Sequence, residues 1–298
     1  MAQTLRLGAV TVTPVFEFAT PSRPPEVMFP DLDRAVWRAH ESWLAPDFWD
    51  PGTGLLQTRV QTWVLRSGGE TVLVDTGAGN GKARPEMPVF DHLDTDFLAR
   101  LRAAGVAPDD VTTVVNTHLH ADHVGWNTVL DGGEWVPAFP NARYLVSRAD
   151  HDFWNPATGS PTRLGAGNDG VFEDSVAPVA RAGNLVLWED SFAVTAELRL
   201  EPAPGHTPGS AVLVAESGGD LGLFVGDVLH HPIQLVAPDL NSCFCEDPAS
   251  ARATRRRLLD RAADATALVF PAHLGGGLAV EVRRSGSAFS VARWGFEA

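Results

Sequence analysis

The chain has 298 residues, of which 44% are hydrophobic and 20% are charged. This balance excludes a largely disordered chain, because it allows a sizeable core to be buried without disulfides. A formal net charge of −14 repels polyanions and argues against a nucleic-acid partner, and the basic run at residues 255–257 is interpreted as a solvated helix face that pairs with nearby acids.

Cysteine usage and the amino-terminal residues bear on the cellular compartment. The two cysteines, Cys243 and Cys245, are two positions apart, a spacing that rarely meets disulfide geometry. Residues 1–15 alternate polar and apolar side chains, which predicts a strand rather than a signal peptide. No run approaches the ~18 apolar residues of a membrane span. We therefore expect a cytoplasmic protein without a membrane partner, and a homodimer stays open.

Hydrophobic patterning in the first half of the chain predicts strands and a long insertion. A strand covers residues 10–16, and residues 19–54 are then rich in Pro, Trp and Phe without a clear period, which is typical of a lid that packs. A hairpin of two strands, a helix that ends before Gly105 and a buried strand follow, at residues 58–66, 71–75, 97–104 and 111–116.

The second half predicts short strands around one long helix. Asp247 can cap free amides and Pro248 tolerates the first helical position, so a helix is expected from there to about Ala263. A short helix is expected at residues 150–154, and strands at 143–147, 185–188, 194–200, 210–215, 221–225, 267–270, 279–284 and 288–293. These elements favour one domain over residues 1–298, with two sheets and helices outside.

Residues 116–125, NTHLHADHVG, concentrate three histidines and one aspartate after a predicted buried strand. Side chains two apart on an extended segment point the same way, so His118, His120 and Asp122 are expected to converge, with His123 turned to an adjacent position. Imidazole and carboxylate suit zinc, which takes about four ligands and keeps one position open when it catalyses. The pattern therefore favours two metal ions that share a hydroxide.

Three more candidate ligands each follow a predicted strand. They are His206 in PGHTPG, Asp227 in VGD and His273 in PAH. Alone, each would more often be a structural turn residue, but the first motif makes a shared metal site the better interpretation.

In these motifs and their order, residues 60–273 resemble the metallo-β-lactamase superfamily, with its HxHxDH, GHTPG, GD and terminal histidine signatures. The resemblance implies an α+β fold, a four-layer αββα sandwich of two mixed β-sheets flanked by helices. It also implies two divalent metal ions, with Zn²⁺ expected: His118, His120 and His206 would hold one, Asp122, His123 and His273 the other, and Asp227 would bridge both.

The aspartate at position 227 argues against a dedicated zinc β-lactamase. Residues 118–127, followed by GDVLHHPIQ at residues 226–234, look more like the lactonase and methyl-parathion-hydrolase-like branch. That likeness implies a hydrolase in which a metal-bridging hydroxide attacks a lactone, ester or phosphotriester bond. Asp122 or His230 is the candidate proton donor to the leaving group, and His231 competes with His230 for the position facing the pocket. A glyoxalase II-like thioesterase and an iron-dependent dioxygenase of the same fold stay open as alternatives.

Aromatic residues near these motifs predict a pocket for a small apolar or aromatic substrate. The candidate wall residues are Trp43, Phe48, Trp126 and Trp154, each of which competes with plain core packing. Tyr144, the single tyrosine, lies mid-strand and is assigned to the core. No tyrosine hydroxyl is then left for the pocket, which weakens the assignment of a homoserine lactone as the substrate. Asp75 in LVDTG either orients a ligand histidine or forms a turn before glycine.

Overall fold

The computed structural model describes residues 3–296 of the chain. The strands are β1 Leu5–Leu7, β2 Val10–Pro21, β3 Trp49–Asp50, β4 Leu55–Ser67, β5 Glu70–Val74, β6 Thr113–Val115, β7 Thr128–Asp131, β8 Glu134–Pro137, β9 Arg143–Ser147, β10 Leu185–Trp188, β11 Phe192–Ala193, β12 Leu198–Pro202, β13 Ala211–Ser217, β14 Asp220–Gly226, β15 Leu268–Pro271, β16 Val280–Ser285 and β17 Ala288–Trp294. The α-helices are α1 Pro25–Met28, α2 Arg34–Leu44, α3 Phe97–Ala103, α4 Ala121–Val124, α5 Arg148–Trp154, α6 Ala177–Arg181, α7 Ile233–Val236 and α8 Pro248–Ala265.

The first half of the chain builds one sheet in the order β1-β2-β4-β5-β6-β9-β10, with β3 paired to β4. Its long antiparallel pair, β2 and β4, gives way to parallel pairing from β5 to β10. Strands β5 and β6 are buried almost throughout. Parallel strands are usually covered on both faces, and this is why their sequences are continuous apolar runs.

The second half builds the other sheet, in the order β11-β12-β13-β14-β15-β16-β17. Neighbouring strands are antiparallel except for β14 and β15, which run parallel. The carboxyl ends of β14 and β15 therefore lie at the same edge of this sheet. A separate hairpin, β7 with β8, was not predicted from the sequence.

The inner faces of the two sheets pack against each other. Trp63 of β4 lies edge-on to Phe270 of β15, with ring centroids 5.2 Å apart, and Phe224 of β14 stacks on Phe270 at 4.3 Å. Helix α3 buries Phe97 and Leu101 on the outside of the first sheet, and α8 packs on the outside of the second. The predicted four-layer sandwich is confirmed.

The insertion is more ordered than its sequence pattern indicated. Residues 19–54 show no clear apolar period, yet they contain the end of β2 and the elements α1, α2 and β3, and their aromatic side chains pack in one hydrophobic cluster, as expected. Asp33 caps α2 by accepting a hydrogen bond from the Ala35 amide at 2.7 Å, and α2 buries only Trp37 and Leu44, so its apolar period is sparse. The lid role and the single-domain assignment stay predictions.

Two further expectations were wrong in detail. The strand expected at residues 194–200 is a hairpin instead, in which β11 and β12 are joined by a turn where the Val194 amide donates to the Leu198 carbonyl at 2.8 Å. The basic run is not a solvated face throughout: Arg256 and Arg257 lie towards solvent, but Arg255 is fully buried. Arg255 lies on the side of α8 that packs against backbone carbonyls.

Tyr144 lies in the core, as expected. Its side chain is fully buried on β9, and its hydroxyl accepts from the Phe139 amide and donates to the Asn127 carbonyl, at 3.0 and 3.1 Å. Burial raises the pKa of this hydroxyl.

Among the described residues, no helix combines the length and the apolar character that a membrane span requires.

Candidate metal centre

Loops at the ends of strands carry the candidate ligands. His118 and His120 follow β6 of the first sheet, and His206 lies between β12 and β13 of the second. Asp227 follows β14 and His273 follows β15, whose carboxyl ends are neighbours. Four segments of the chain therefore meet at one edge of the sandwich.

The expected extended run through Asp122 was wrong. The chain is extended at His120 but turns into α4 at Ala121, so Asp122 and His123 are helical. Because of this turn, Asp122 points to a different group of ligands from His118 and His120. The structure places the seven candidate residues in two groups.

The first group joins His118, His120, His206 and Asp227. The Nε2 atom of His118 lies 3.0 Å from Nδ1 of His120 and 3.2 Å from Nε2 of His206, and the last two atoms are 3.0 Å apart. The Oδ2 atom of Asp227 lies 3.3 Å from His206 Nε2 and 3.8 Å from His118 Nε2. Three nitrogens and one carboxylate oxygen therefore converge on one point.

The second group joins Asp122, His123 and His273. The Nε2 atoms of the two histidines are 3.2 Å apart, and oxygens of Asp122 lie 3.7 and 3.5 Å from them. The other oxygen of Asp227, Oδ1, lies 3.3 Å from His123 Nε2 and 3.0 Å from His273 Nε2. Asp227 thus presents one oxygen to each group.

Hydrogen bonds on the outer ring nitrogens fix which atoms carry lone pairs inside the site. His123 Nδ1 donates to Asp75 and His273 Nδ1 donates to the Arg59 carbonyl, both at 2.8 Å. Each neutral imidazole has one N–H, so both Nε2 atoms present lone pairs to each other and to the carboxylates. Buried acceptors facing one another need a shared cation, and the donor set of imidazole and carboxylate fits divalent zinc.

The pKa values of the histidines shift in opposite directions in the two groups. Burial lowers the pKa of His120 to about 4, because it outweighs the attraction of Asp122 and Asp227. Burial also acts to lower the pKa of His273, but Asp227 and Asp122 overcome it and raise this pKa to about 9. Carboxylates that attract a proton to Nε2 of His273 would hold a metal ion at the same place.

Asp75 orients a candidate ligand histidine, which is the first of the two roles expected from the sequence. Besides His123 Nδ1, its carboxylate accepts from the Thr117 amide and the Thr117 hydroxyl, at 2.7 and 2.8 Å. It holds a left-handed backbone conformation, with φ at 57°, which Asp tolerates better than most residues. Asp75 therefore fixes both the ring of His123 and the start of the histidine motif.

Sequence reasoning missed Asp150, which ties two ligand loops together. Its buried carboxylate accepts from the Leu119 amide at 3.0 Å and from the Gly209 amide at 2.7 Å. Burial raises the pKa of Asp150 to about 6 against the effect of these hydrogen bonds. Its partners lie 31 and 59 residues away, so no local motif could have identified it.

His230, rather than His231, faces the cavity above the ligands. Its Nε2 atom lies 3.1 Å from Asp227 Oδ2, while its buried Nδ1 has no hydrogen-bond partner in the described chain. His231 points away, donating from Nε2 to the Phe48 carbonyl at 3.2 Å. Burial lowers the pKa of His231 to about 3. The amide of His230 is held by the Gln234 side chain at 2.8 Å.

A cavity of about 320 Å³ opens above the site, and its floor includes His120, Asp122, Asp227, His230 and His273. Its walls are largely apolar and include Met28, Val60, Met87, Phe90, Leu164 and Phe244. Neutral side chains of this kind favour a substrate with an apolar body.

The aromatic wall residues predicted from the sequence were wrong. None of Trp43, Phe48, Trp126 and Trp154 lines this cavity. Trp126 stacks on Phe97 in the core at 5.5 Å, and Trp154 lies behind His120, with ring centroids 5.2 Å apart. Nearness in sequence to a ligand does not fix the direction of a side chain, which depends on the local backbone.

Two relatives illustrate matches that cover a little over half of this chain. A human metallo-beta-lactamase domain-containing protein 1 is 33% identical over 174 residues, which cover 55% of this chain and 48% of the relative. An N-acyl homoserine lactonase of Bacillus cereus is 24% identical over 182 residues, covering 56% of this chain and 62% of the relative. The matched part spans only about half the length of the first of these proteins.

Solved structures share the fold over nearly the whole chain. The hydrolase AbOPH of the beta lactamase superfamily has a TM-score of 0.81 at 24% identity, covering 97% of this chain and 96% of that one. The dizinc quorum-quenching lactonase AidC, solved with its product, has a TM-score of 0.79 at 21% identity and the same coverage. At these identities the likeness shows the fold alone. The family model of the metallo-beta-lactamase superfamily matches residues 56–273, and this chain therefore belongs to that superfamily.

Proposed function

We propose that this chain is a metal-dependent hydrolase with two metal ions that cleaves a lactone, ester or phosphotriester bond. The observation that carries the proposal is Asp227, whose two oxygens face two separate donor groups on the floor of an apolar cavity. A structural aspartate has no need of five imidazole rings around it.

In this proposal the two groups would hold one divalent ion each, and Asp227 would serve both groups. His118, His120 and His206 would hold the first ion, and Asp122, His123 and His273 the second. Zinc is the proposed metal, because nitrogen and carboxylate oxygen are its usual ligands. Such ions, when bound, supply Lewis acidity and lower the pKa of water to near neutrality.

The residues of the chain supply orientation, a dry cavity and proton transfer. Asp75 and the Arg59 carbonyl hold two imidazole rings with their lone pairs inward. His230 and Asp122 are the proposed proton donors to the leaving group, since both line the cavity floor. His230 can hold a proton at Nδ1, and Asp122 is 18% exposed and can exchange one with solvent.

The substrate proposed here is a small molecule with an apolar or aromatic body, in keeping with the cavity walls. Relatives named N-acyl homoserine lactonase support cleavage of a cyclic or open ester. A thioesterase would use the same donors, so substrate preference has to separate it from an esterase.

Metal content and chelation test this proposal directly. We expect purified protein to contain about two equivalents of zinc by plasma mass spectrometry and to hydrolyse an aryl ester, a lactone or a phosphotriester. A chelator should abolish hydrolysis and lower the melting temperature, because the ions bind only the folded chain, and added zinc should restore both. One iron without hydrolysis would indicate a dioxygenase, and preference for a glutathione thioester would indicate a glyoxalase II-like enzyme.

Asp75→Asn should weaken zinc binding by about 10- to 100-fold, the usual range for partners of ligand histidines. The amide of the variant presents donors where His123 Nδ1 also donates, so the ring loses its fixed orientation. Competition with a chromophoric chelator measures the change. Asp131→Asn, an exposed change on β7, is the matched control, and equal affinity in the two variants would contradict the role of Asp75.

A further inference from the structure

Arg23 is a charged residue in the wall of the apolar cavity. It is exposed, whereas Asp227 on the cavity floor is buried, so Arg23 lies towards the solvent side of the cavity. Within residues 3–296 no carboxylate pairs with its guanidinium, although this chain has 37 acidic residues. An arginine left unpaired in so acidic a protein has its hydrogen-bonding capacity available to a ligand.

The position of Arg23 is fixed by contacts on both sides. Its carbonyl accepts from the Leu56 amide at 3.1 Å, and the Ser22 amide donates to the Leu56 carbonyl at 2.8 Å, so its backbone is held beside β4. Its guanidinium lies over the ring of Phe244, 5.2 Å from the centroid. Phe244 follows Cys243, whose amide donates to the Met28 carbonyl at 2.8 Å. A cation held over an aromatic face loses less freedom when it binds an anion.

Apolar wall lies in the same cavity as this cation and the candidate metal site. Met28, Val60, Met87 and Phe90 line it, and Val89 is exposed there. A ligand that fills the cavity would contact a polar floor at one end, apolar walls along its body and Arg23 on the solvent side. This arrangement suits a molecule whose scissile bond and charged group are separated by an apolar segment.

We propose that Arg23 binds a carboxylate at the far end of the substrate, so that the substrate class is an ester or lactone with an apolar body and a distal carboxylate. The inference rests on the proposed hydrolase function. The planar guanidinium can donate two parallel hydrogen bonds to a carboxylate, a geometry that favours this anion over a neutral polar group.

Glu86 lines the same cavity, is exposed, and forms no ion pair with Arg23 in the described part of the chain. Its charge repels a carboxylate that Arg23 attracts. The two residues therefore predict substrate effects of opposite sign, which makes Glu86→Gln a matched control for changes at Arg23.

The test uses two phenyl esters of the same length, one of which ends in a free carboxylate and the other in a primary carboxamide. Wild-type protein, Arg23→Met, Arg23→Lys and Glu86→Gln are compared by phenol release and by calorimetric binding of both esters after metal removal. Arg23→Met keeps an apolar stem of similar length but has no charge. The calorimetric measurement needs no turnover, so it reports on Arg23 even if the hydrolase proposal fails.

We expect Arg23→Met to lower kcat/KM for the carboxylate ester about tenfold, mainly through KM, and to leave the carboxamide ester within twofold. Arg23→Lys should retain part of the preference and Glu86→Gln should increase it, and salt should weaken the preference in every protein that keeps a cation at position 23. Equal changes for both esters in Arg23→Met, or no change in either assay, would overturn the assignment. Failure of the wild type to cleave either ester would instead count against the hydrolase function.

Discussion

Asp227→Asn is expected to lower kcat/KM by about a thousandfold and to reduce bound zinc from about two equivalents to one or fewer. The physical reason is that the Asp227 carboxylate places one oxygen 3.3 Å from His206 Nε2 and the other 3.0 Å from His273 Nε2. An asparagine side chain has one acceptor oxygen and no charge, so it cannot serve both groups of donors. Metal analysis and hydrolysis of an aryl ester measure the two effects in the same preparation.

The matched control is Asp152→Asn, because Asp152 is exposed on α5 and, within residues 3–296, pairs only with its neighbour His151. This variant should keep both metal equivalents and wild-type activity. The same unfolding midpoint for both variants in the presence of a chelator would show that the loss in Asp227→Asn arises at the metal site. Full activity and two equivalents of zinc in Asp227→Asn would refute the shared-ligand role.

Arg255→Met is expected to lower the free energy of unfolding by about 3 kcal/mol, because it leaves buried acceptors without a donor. The Arg255 guanidinium is fully buried and donates to the Val228 carbonyl at 2.7 Å, the Pro238 carbonyl at 2.9 Å and the Asn241 side chain at 3.2 Å. Burial itself lowers the pKa of Arg255 to about 10, which shows that the charge is kept in place at a cost. The carbonyl of Val228 lies directly after Asp227, so zinc affinity should fall as well.

Urea unfolding in the presence of a chelator measures this loss without a contribution from bound metal. The control is Arg257→Met on the same helix, where an exposed side chain makes one hydrogen bond, to the Pro202 carbonyl. This change should stay within about 0.5 kcal/mol of the wild type. Equal stability of the two variants would show that the three buried hydrogen bonds contribute little.

The candidate ligands could be identified from the sequence because their spacing and local setting are informative. The histidine motif follows a short apolar strand, and the single residues His206, Asp227 and His273 each follow another. A strand end alone would have indicated a turn residue at each of the three, and the histidine motif made a shared site the better interpretation. Helix α8 was equally predictable: Asp247 caps it by accepting from the amides of Ala249 and Ser250, as the Asp-Pro pair indicated.

Only the tertiary structure decided how the candidate ligands divide into two groups and which other side chains surround them. The turn into α4 moved Asp122 away from His118, and the packing of the insertion placed His231 under Phe48 and left His230 on the cavity floor. Asp150 contacts amides in two distant loops, and no periodic pattern encodes such a contact.

The buried charge of Arg255 also shows what the sequence determined and what only the fold decided. The sequence determined that α8 carries three arginines in a row, and composition predicted a solvated surface for them. Only the fold decided that the Arg255 guanidinium would be enclosed and would donate to the carbonyls of Val228 and Pro238. The physical reason is that spacing, capping and polarity act between near neighbours in the chain, whereas cavity walls and buried hydrogen bonds depend on which distant segments the two sheets bring together.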